Sequence, residues 1–371
     1  MRVVHITELY PPRAHPIASH VQGLAHRQGA QGDAVHVLTA TPMDANEPHQ
    51  SRYRASTTDA PGVRVHRLAS PLSFGLPVVP GGKAMVERAL GLLRPDVVHL
   101  HLPGPSPFGY DAARAARGMD LPLAFTAYSG AAETFSKFAV RLTGWATAGV
   151  ATSGVCHAAA VVAGEVFGGN ATILPWGVDL EKWRGAGHRR TQSPDLRILV
   201  YAGDQAKRFD AALAQVQGVV VTAVGPQAAH IRQAHTQLEN APVEVVPTLS
   251  EDHDLYISAA SLDPYAAGAV ASGMIAMGPY GANIEDVIGG GGVPDEAGAR
   301  AGGFLTDTPA SIVEAITLLS QSPRLRKRMV EANLNAPTDS SDWASVVDEA
   351  RALYGQAQEQ RDRFAMAEPT R

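Results

Sequence analysis

At 371 residues the chain is longer than the ~250–300 residues that one core usually organises, so two domains of similar size are expected. Hydrophobic residues make up 45% and charged residues 18% of it, which excludes a disordered chain and fits a globular protein rich in buried sheet and helix. The net charge of −5 divides into +3 over residues 1–175 and −8 over residues 176–371; with no basic cluster interleaved with aromatics, nucleic-acid binding is excluded, and a membrane could be met only peripherally.

Short apolar runs alternate with helix-length segments along the first half. Strands are predicted at Val3–Ile6, Val35–Leu38, Val63–His66, Val97–Leu100, Leu123–Thr126, Val150–Thr152 and Thr172–Leu174, with helices at Ala18–Gln28, Lys83–Leu93, Ser106–Arg117 and Val155–Val166. That alternation predicts a parallel sheet covered on both faces. Leu142–Gly164 carries no Asp, Glu, Lys or Arg over 23 residues. Its Ala, Gly, Thr and Ser content, and the break at Ser153-Gly154, fit a buried strand and helix better than a membrane span. The lone Cys156 leaves no internal disulfide to form, and Met1–Ile6 enters a strand without a signal-peptide layout, so a cytoplasmic location is expected.

The polar stretch Arg184–Ser193 reads as a linker. A second strand series follows at Arg197–Tyr201, Val219–Val224, Val243–Val246, Met274–Met277 and Gly303–Leu305, then helices at Ala310–Leu319, Arg324–Ala332 and Trp343–Gln358, with a frayed tail after Arg361. The expected architecture is α/β, two doubly wound domains: 1–183, a linker over 184–195, 196–341, and a C-terminal helix and tail over 342–371. Gly289–Gly292 reads as a flexible loop, and no GxGxxG lies between a strand and a helix, so the dinucleotide fingerprint is missing. Scattered arginines (Arg52, Arg54, Arg64, Arg67) read as a solvated face. No His, Cys and carboxylate set stands at metal-ligand spacing, and His26, His66 and His230 read as surface or packing residues.

Two segments carry a family likeness. The first runs His5-Ile6-Thr7-Glu8-Leu9-Tyr10-Pro11-Pro12, then His20-Val21-Gln22-Gly23-Leu24-Ala25 and Gly32 to Thr39; the second is Ile173-Leu174-Pro175-Trp176-Gly177-Val178-Asp179. Arg94-Pro95-Asp96-Val97-Val98-His99-Leu100-His101 and Asp342-Trp343 with Leu353-Tyr354 support them. Together they resemble family-4 glycosyltransferases over nearly the whole chain. The resemblance implies a GT-B fold, with an N-terminal domain on the acceptor side and a C-terminal domain on the nucleotide-sugar side. It implies transfer from a nucleotide-diphosphate sugar in a cleft between the domains to a glycan or lipid acceptor, with no cofactor.

The family pattern is altered at four places. The loop after the first strand, where a Gly-Gly pair approaches the diphosphate, reads Arg13-Ala14-His15-Pro16-Ile17 here, and Pro16 has no N–H to donate. Asp204 in Gly203-Asp204-Gln205-Ala206-Lys207-Arg208 stands where an arginine is usual, leaving Lys207 and Arg208 as substitute cations beside Gly203. Tyr128 stands where a histidine is usual, with His101 at a neighbouring strand end as a second candidate ligand. Both expected glutamates are gone: the second falls at Gly268 and the first near Ala260, inside or beside a run from Pro264 to Ile284 that holds no Asp, Glu, Lys, Arg or His over 21 residues. Glu285 is the nearby acidic match.

The expected site is therefore His101 and Tyr128 for catalysis, with Gly203, Lys207, Arg208 and Glu285 holding the donor. Two functions follow. One is a divergent glycosyltransferase; the other is a catalytically inactive GT-B accessory or scaffold subunit that partners an active glycosyltransferase. A periplasmic-type sugar receptor fits less well, for want of an export signal.

Overall fold

The structure, a computed structural model, describes residues 1–13, 15–40, 54–68, 82–102, 107–128, 149–188, 195–239, 246–289, 302–306 and 308–367. Their contacts divide the chain into two compact units, residues 1–175 with 343–371 and residues 176–342.

The first unit is built on an eight-stranded sheet. Its strands are β1 (Arg2–Thr7), β2 (Ala34–Thr39), β3 (Arg54–Ala60), β4 (Val63–Arg67), β5 (Val97–Leu102), β6 (Leu123–Ala127), β7 (Val150–Gly154) and β8 (Thr172–Ile173), in the order β3-β4-β2-β1-β5-β6-β7-β8. Every pairing is parallel except β3 with β4. All six residues of β5 and all five of β6 are buried, as expected of strands covered on both faces. One cover is α1 (Pro16–Ala30), with Pro16 at its first turn and the His15 ring nitrogen Nδ1 accepting from Ile17 N–H. Proline suits that turn because its missing N–H would be unpaired there anyway.

The helix Trp343–Ala367 returns from the end of the chain to the same sheet. Val346, Val347, Ala350, Leu353, Tyr354 and Ala357 recur at helical spacing and pack with Val3, Val97, Ala124, Ala151 and Leu174, the stripe that makes a helix amphipathic. Arg351 pairs with Asp33 at 3.1 Å, and Asp33 also meets the amino terminus at 2.9 Å.

The second unit holds six parallel strands: β9 (Leu196–Ala202), β10 (Val219–Val224), β11 (Thr236–Leu238), β12 (Leu255–Ala259), β13 (Ile275–Gly278) and β14 (Gly303–Leu305), in the order β11-β10-β9-β12-β13-β14. Two apolar clusters, one centred on Phe209 and Ile257 and the other on Trp183 and Tyr256, form its core.

Several boundaries differ from the sequence reading. The first unit ends at Pro175 rather than residue 183, because Leu180–His188 is a helix whose Trp183 packs with Tyr265 in the second unit. The rest of the expected linker, 189–194, lies outside the described residues, as do Arg52, 142–148, 243–245 and 290–292. Val246 opens a short helix, Val246–Leu249, rather than ending a strand. The C-terminal helix continues past Arg361 to Ala367. The structure adds three strands to the sequence reading: β3 (RASTTDA) is a polar antiparallel edge, β11 has three residues, and β12 (LYISA) is fully buried. No helix among the described residues is long and apolar enough to cross a membrane.

Candidate functional site

In an open α/β sheet, ligands gather beyond the carboxyl ends of the strands at the point where strand order reverses. Among the described residues, each unit has one such crossover. In the first it lies between β1 and β5, which pair in register Thr7 with His101.

The chain leaves β1 through a tightly held loop. The Thr7 hydroxyl donates to the Leu9 carbonyl at 3.0 Å and accepts from Leu9 N–H at 3.2 Å, fixing the turn around Glu8. Tyr10 Oη donates to Asp59 Oδ2 at 2.6 Å, and His26 Nε2 and Gln22 Nε2 reach the same oxygen at 2.7 and 3.3 Å. Burial alone would raise the Asp59 pKa, but these three hydrogen bonds outweigh it and hold the carboxyl below its usual range. Arg67 donates from Nη2 to the Pro11 carbonyl at 2.7 Å, with its guanidinium 5.9 Å from the Tyr10 ring centre. Glu8 is half-buried, and burial pushes its pKa up to about 7, with Arg13 opposing the rise. His15, at the cap of α1, is lowered by burial and by Arg13.

His101 and Tyr128 do come together, with Nδ1 and Oη 3.0 Å apart, but both are buried and belong to a longer internal chain. Its direction follows from one end. Ser153 Oγ donates to the Phe125 carbonyl at 3.3 Å, so it accepts from Thr126 Oγ1 at 2.8 Å, which in turn accepts from His99 Nε2 at 2.7 Å. His99 Nδ1 then accepts from Tyr354 Oη at 3.0 Å, and that oxygen accepts from Gln28 Nε2 at 3.0 Å. Gln28 Oε1 accepts from His5 Nε2 at 2.8 Å, and His5 Nδ1 accepts from His101 Nε2 at 2.8 Å. His101 Nδ1 accepts from Tyr128 Oη, whose oxygen accepts from His20 Nδ1 at 3.1 Å.

Each hydrogen bond of the chain has one donor and one acceptor with all four imidazoles neutral, so the chain fixes each tautomer. Burial lowers His5 to about 4 and His20 to about 3, and holds His99 and His101 well below the usual histidine range.

His5, His99 and His101 each bring a ring nitrogen within 4.8 Å of the others, near enough to suggest a metal centre. Their hydrogen bonds argue otherwise: all six ring nitrogens of the three residues already have a partner at 3.0 Å or less. A cation would have to replace the proton shared by His101 and His5. Sequence reading missed the set because His5 faces His99 only through strand pairing. The sole local signal was the His99-x-His101 alternation, which places two rings on one face.

The second unit's crossover lies between β9 and β12, where Gly203 and Asp204 follow β9. Asp204 accepts from Ser261 N–H at 2.8 Å and from Ser261 Oγ at 2.7 Å, tying the two strand ends together. A Cβ at Gly203 would lie 2.5 Å from the Ala260 methyl, so glycine here serves close packing of those ends. Lys207 is exposed at the start of the helix Ala206–Leu213. Arg208 instead turns inward, donating to the Thr306 carbonyl at 3.2 Å with its guanidinium 5.3 Å from the Phe209 ring. Glu285 Oε2 accepts from Gly281 N–H at 2.7 Å and so closes the turn before the helix Asn283–Ile288.

The uncharged run is a buried helix and strand. Every residue of Ala266–Ala271 and of β13 is buried. A Cβ on Gly268 would fall well inside contact with the Trp183 indole. Beside it, the buried Asp263 takes the Tyr256 hydroxyl on both carboxylate oxygens at 2.8 Å and accepts from Tyr265 N–H at 2.8 Å. Burial raises its pKa to about 6, against the pull of those hydrogen bonds.

Residues 17–182 match the family model of Glycosyltransferase Family 4. No curated protein sequence matches the chain. Among solved structures, the chain is similar to Alr3699/HepE from Anabaena in complex with UDP-glucose, at 12% identity and a TM-score of 0.65 over 96% of this chain and 100% of that one. It is also similar to the catalytic domain of starch synthase IV from Arabidopsis thaliana bound to ADP and acarbose, at 14% identity and 0.60 over 96% and 99%. A UDP-N-acetylglucosamine 2-epimerase follows at 14% and 0.52 over 97% and 98%. The two Rossmann-like domains are thus those of the GT-B fold, and the presence of an epimerase beside a starch synthase keeps that fold separate from any one reaction.

Proposed function

We propose that this protein transfers a sugar from a nucleotide-diphosphate sugar to an acceptor hydroxyl, with the acceptor on the N-terminal unit and donor contacts that depart from the family pattern. The observation that carries this reading is the Family 4 match over residues 17–182, joined to a whole-chain likeness to a structure holding UDP-glucose. In the C-terminal unit, the exposed Lys207 is the cation placed to meet a leaving diphosphate. Gly203, Arg208 and Glu285 support the loop and turns around it rather than offering free donors.

A second reading, an accessory GT-B subunit without donor chemistry of its own, is favoured by two particular contacts. Trp183 fills the place of the missing glutamate at Gly268, and Asp204 holds Ser261 where a phosphate-binding arginine is usual. Isothermal titration with UDP, ADP, GDP and their glucose conjugates separates the two. Saturable binding supports transfer; no heat at millimolar ligand, together with co-purification of a second transferase, supports the accessory reading.

A further inference from the structure

The uncharged run carries one exposed large side chain that the core does not take up. We propose that Tyr280, on the turn between β13 and the helix Asn283–Ile288, is the platform on which the nucleobase of the donor stacks; this rests on the transfer reading above and concerns the second unit alone.

Exposure singles the residue out. Tyr280 is 56% exposed, whereas every other Phe, Tyr and Trp side chain among the described residues is buried or half-buried. A ring left in water forgoes the burial that draws aromatics into a core. It stands just beyond the carboxyl end of β13, the neighbour of β12, and so beside the β9–β12 crossover where α/β sheets seat their ligands. Strands lie about 4.8 Å apart, which separates the ends of β9 and β13 by about 10 Å. Lys207 lies exposed in the first turn of the helix that follows β9. One nucleoside diphosphate spans that separation, with its phosphates toward Lys207 and its base toward Tyr280.

The turn that carries the ring is tied on three sides. Thr306 N–H donates to the Gly278 carbonyl at 2.9 Å, and Gly281 N–H donates to Glu285 Oε2 at 2.7 Å. The buried Asn283 side chain accepts from Asp263 N–H at 2.9 Å and donates to the Asp263 carbonyl at 2.7 Å. Those bonds engage the Asn283 amide and the Glu285 carboxylate, so the turn meets a ligand with a ring face. A Cβ at Gly281 would meet no described atom within 4 Å, which leaves open space beside the ring. Held in this way, Tyr280 has two side-chain torsions left to order on binding. Recognition by a ring face tolerates any base, because each has a π-face. Purines, with the larger face, are held at least as well as uracil.

The test is isothermal titration of the full chain, wild type, Tyr280→Ala and Tyr280→Phe, with UDP, ADP, GDP, pyrophosphate and maltose. Because Tyr280 is exposed, neither substitution should disturb folding. Wild type should bind the three nucleotides within about tenfold of one another. Tyr280→Ala should weaken each by about 5–150-fold and leave pyrophosphate unchanged, while Tyr280→Phe, which keeps the ring, should bind nucleotides as wild type does. Nucleotide affinity unchanged in Tyr280→Ala overturns the platform and leaves the transfer reading standing. So does an equal loss for pyrophosphate, which would place the effect on the phosphates, or a loss confined to maltose, which would assign the ring to a sugar. A preference for one base above about a hundredfold also overturns it, since stacking alone does not discriminate to that degree. Wild-type protein that binds none of the three nucleotides ends the transfer reading, and the platform with it.

Discussion

The two crossovers place an acidic residue at matching points, yet the residues do opposite things. Glu8 follows directly on β1, half-buried, with its pKa raised to about 7. Asp204 stands two positions beyond β9, exposed, with both carboxylate oxygens engaged by Ser261. Topology fixes where a functional group can stand, while its partners decide whether it is held as an acid or spent as a clasp. By that measure the N-terminal crossover carries a carboxyl raised into the neutral range, and the C-terminal crossover carries one tied to the neighbouring strand end.

The strongest test of the second half of that contrast is Gly268→Glu. All six residues of the helix Ala266–Ala271 are buried, and the new side chain would collide with Trp183. Overpacking costs about 1–3 kcal/mol, and an unpaired buried carboxylate about 3–5 kcal/mol more. A fall of at least about 4 kcal/mol in urea-unfolding free energy is expected, with partial recovery in Gly268→Glu/Trp183→Ala through coupling of the two sites. A wild-type midpoint for Gly268→Glu would mean that the wall could still take the family carboxylate.

Acid should act mainly on the N-terminal unit. Each histidine of the internal chain has its folded pKa below the unfolded value of about 6.5, so the unfolded state binds more protons as pH falls below that value. Stability is therefore full above pH 6.5 and drains away on acidification, down to about 4 for His5 and about 3 for His20. For His5 alone the drop corresponds to about 3 kcal/mol by pH 4. Glu8 works in the opposite sense, since its raised pKa favours the folded state below about 4.5 and that advantage is lost as pH rises through about 7. Asp263, raised to about 6 in the second unit, acts in the same sense as Glu8; two carboxyls oppose four histidines, so the unfolding midpoint should still fall between pH 6.5 and 4. A flat profile would mean that the chain does not stay neutral in the fold.

Tyr354→Phe probes the same chain at one link. The change leaves His99 Nδ1 without its donor and the Gln28 amide without its acceptor. A buried unsatisfied group costs about 1–3 kcal/mol, so a loss of about 2 kcal/mol is expected in urea unfolding. A loss below about 0.5 kcal/mol would show that water replaces the hydroxyl.

How far the sequence could foretell these regions depends on where each signal resides. The parallel strands were legible because burial on both faces writes continuous apolar runs, as in β5 and β9, whereas the polar edge strand β3 writes none. That the resemblance places its second glutamate at Gly268 follows from the sequence; the packing of Trp183 against Gly268 does not, because Trp183 reaches it from a helix more than 80 positions earlier that looked like the edge of a linker. His101 and Tyr128 read as candidate catalytic groups in the sequence because strand ends look open there; their burial, and the Tyr354 that the C-terminal helix supplies to the same chain, come only from the fold. Nothing in the motif around Glu8 marks it out, because only burial distinguishes a neutral-range carboxyl from an ordinary one.

The smallest expected effect bears most directly on donor binding. Asp204→Ala removes both bonds to Ser261 at an exposed position, a loss of about 1 kcal/mol. Asp204→Asn keeps an acceptor for Ser261 N–H and removes only the charge, so its stability should stay within about 0.5 kcal/mol of wild type. If the carboxylate keeps diphosphates away from the β9–β12 crossover, Asp204→Asn should bind UDP up to about tenfold more tightly, the equivalent of about 1.4 kcal/mol, with the gain shrinking as salt screens the charge. Because the clasp survives in Asp204→Asn and is lost in Asp204→Ala, the pair separates repulsion from closure. A gain in both variants assigns the exclusion to charge, a gain in Asp204→Ala alone assigns it to the tied strand ends, and no gain in either leaves Asp204 a strand-end clasp with no bearing on the donor.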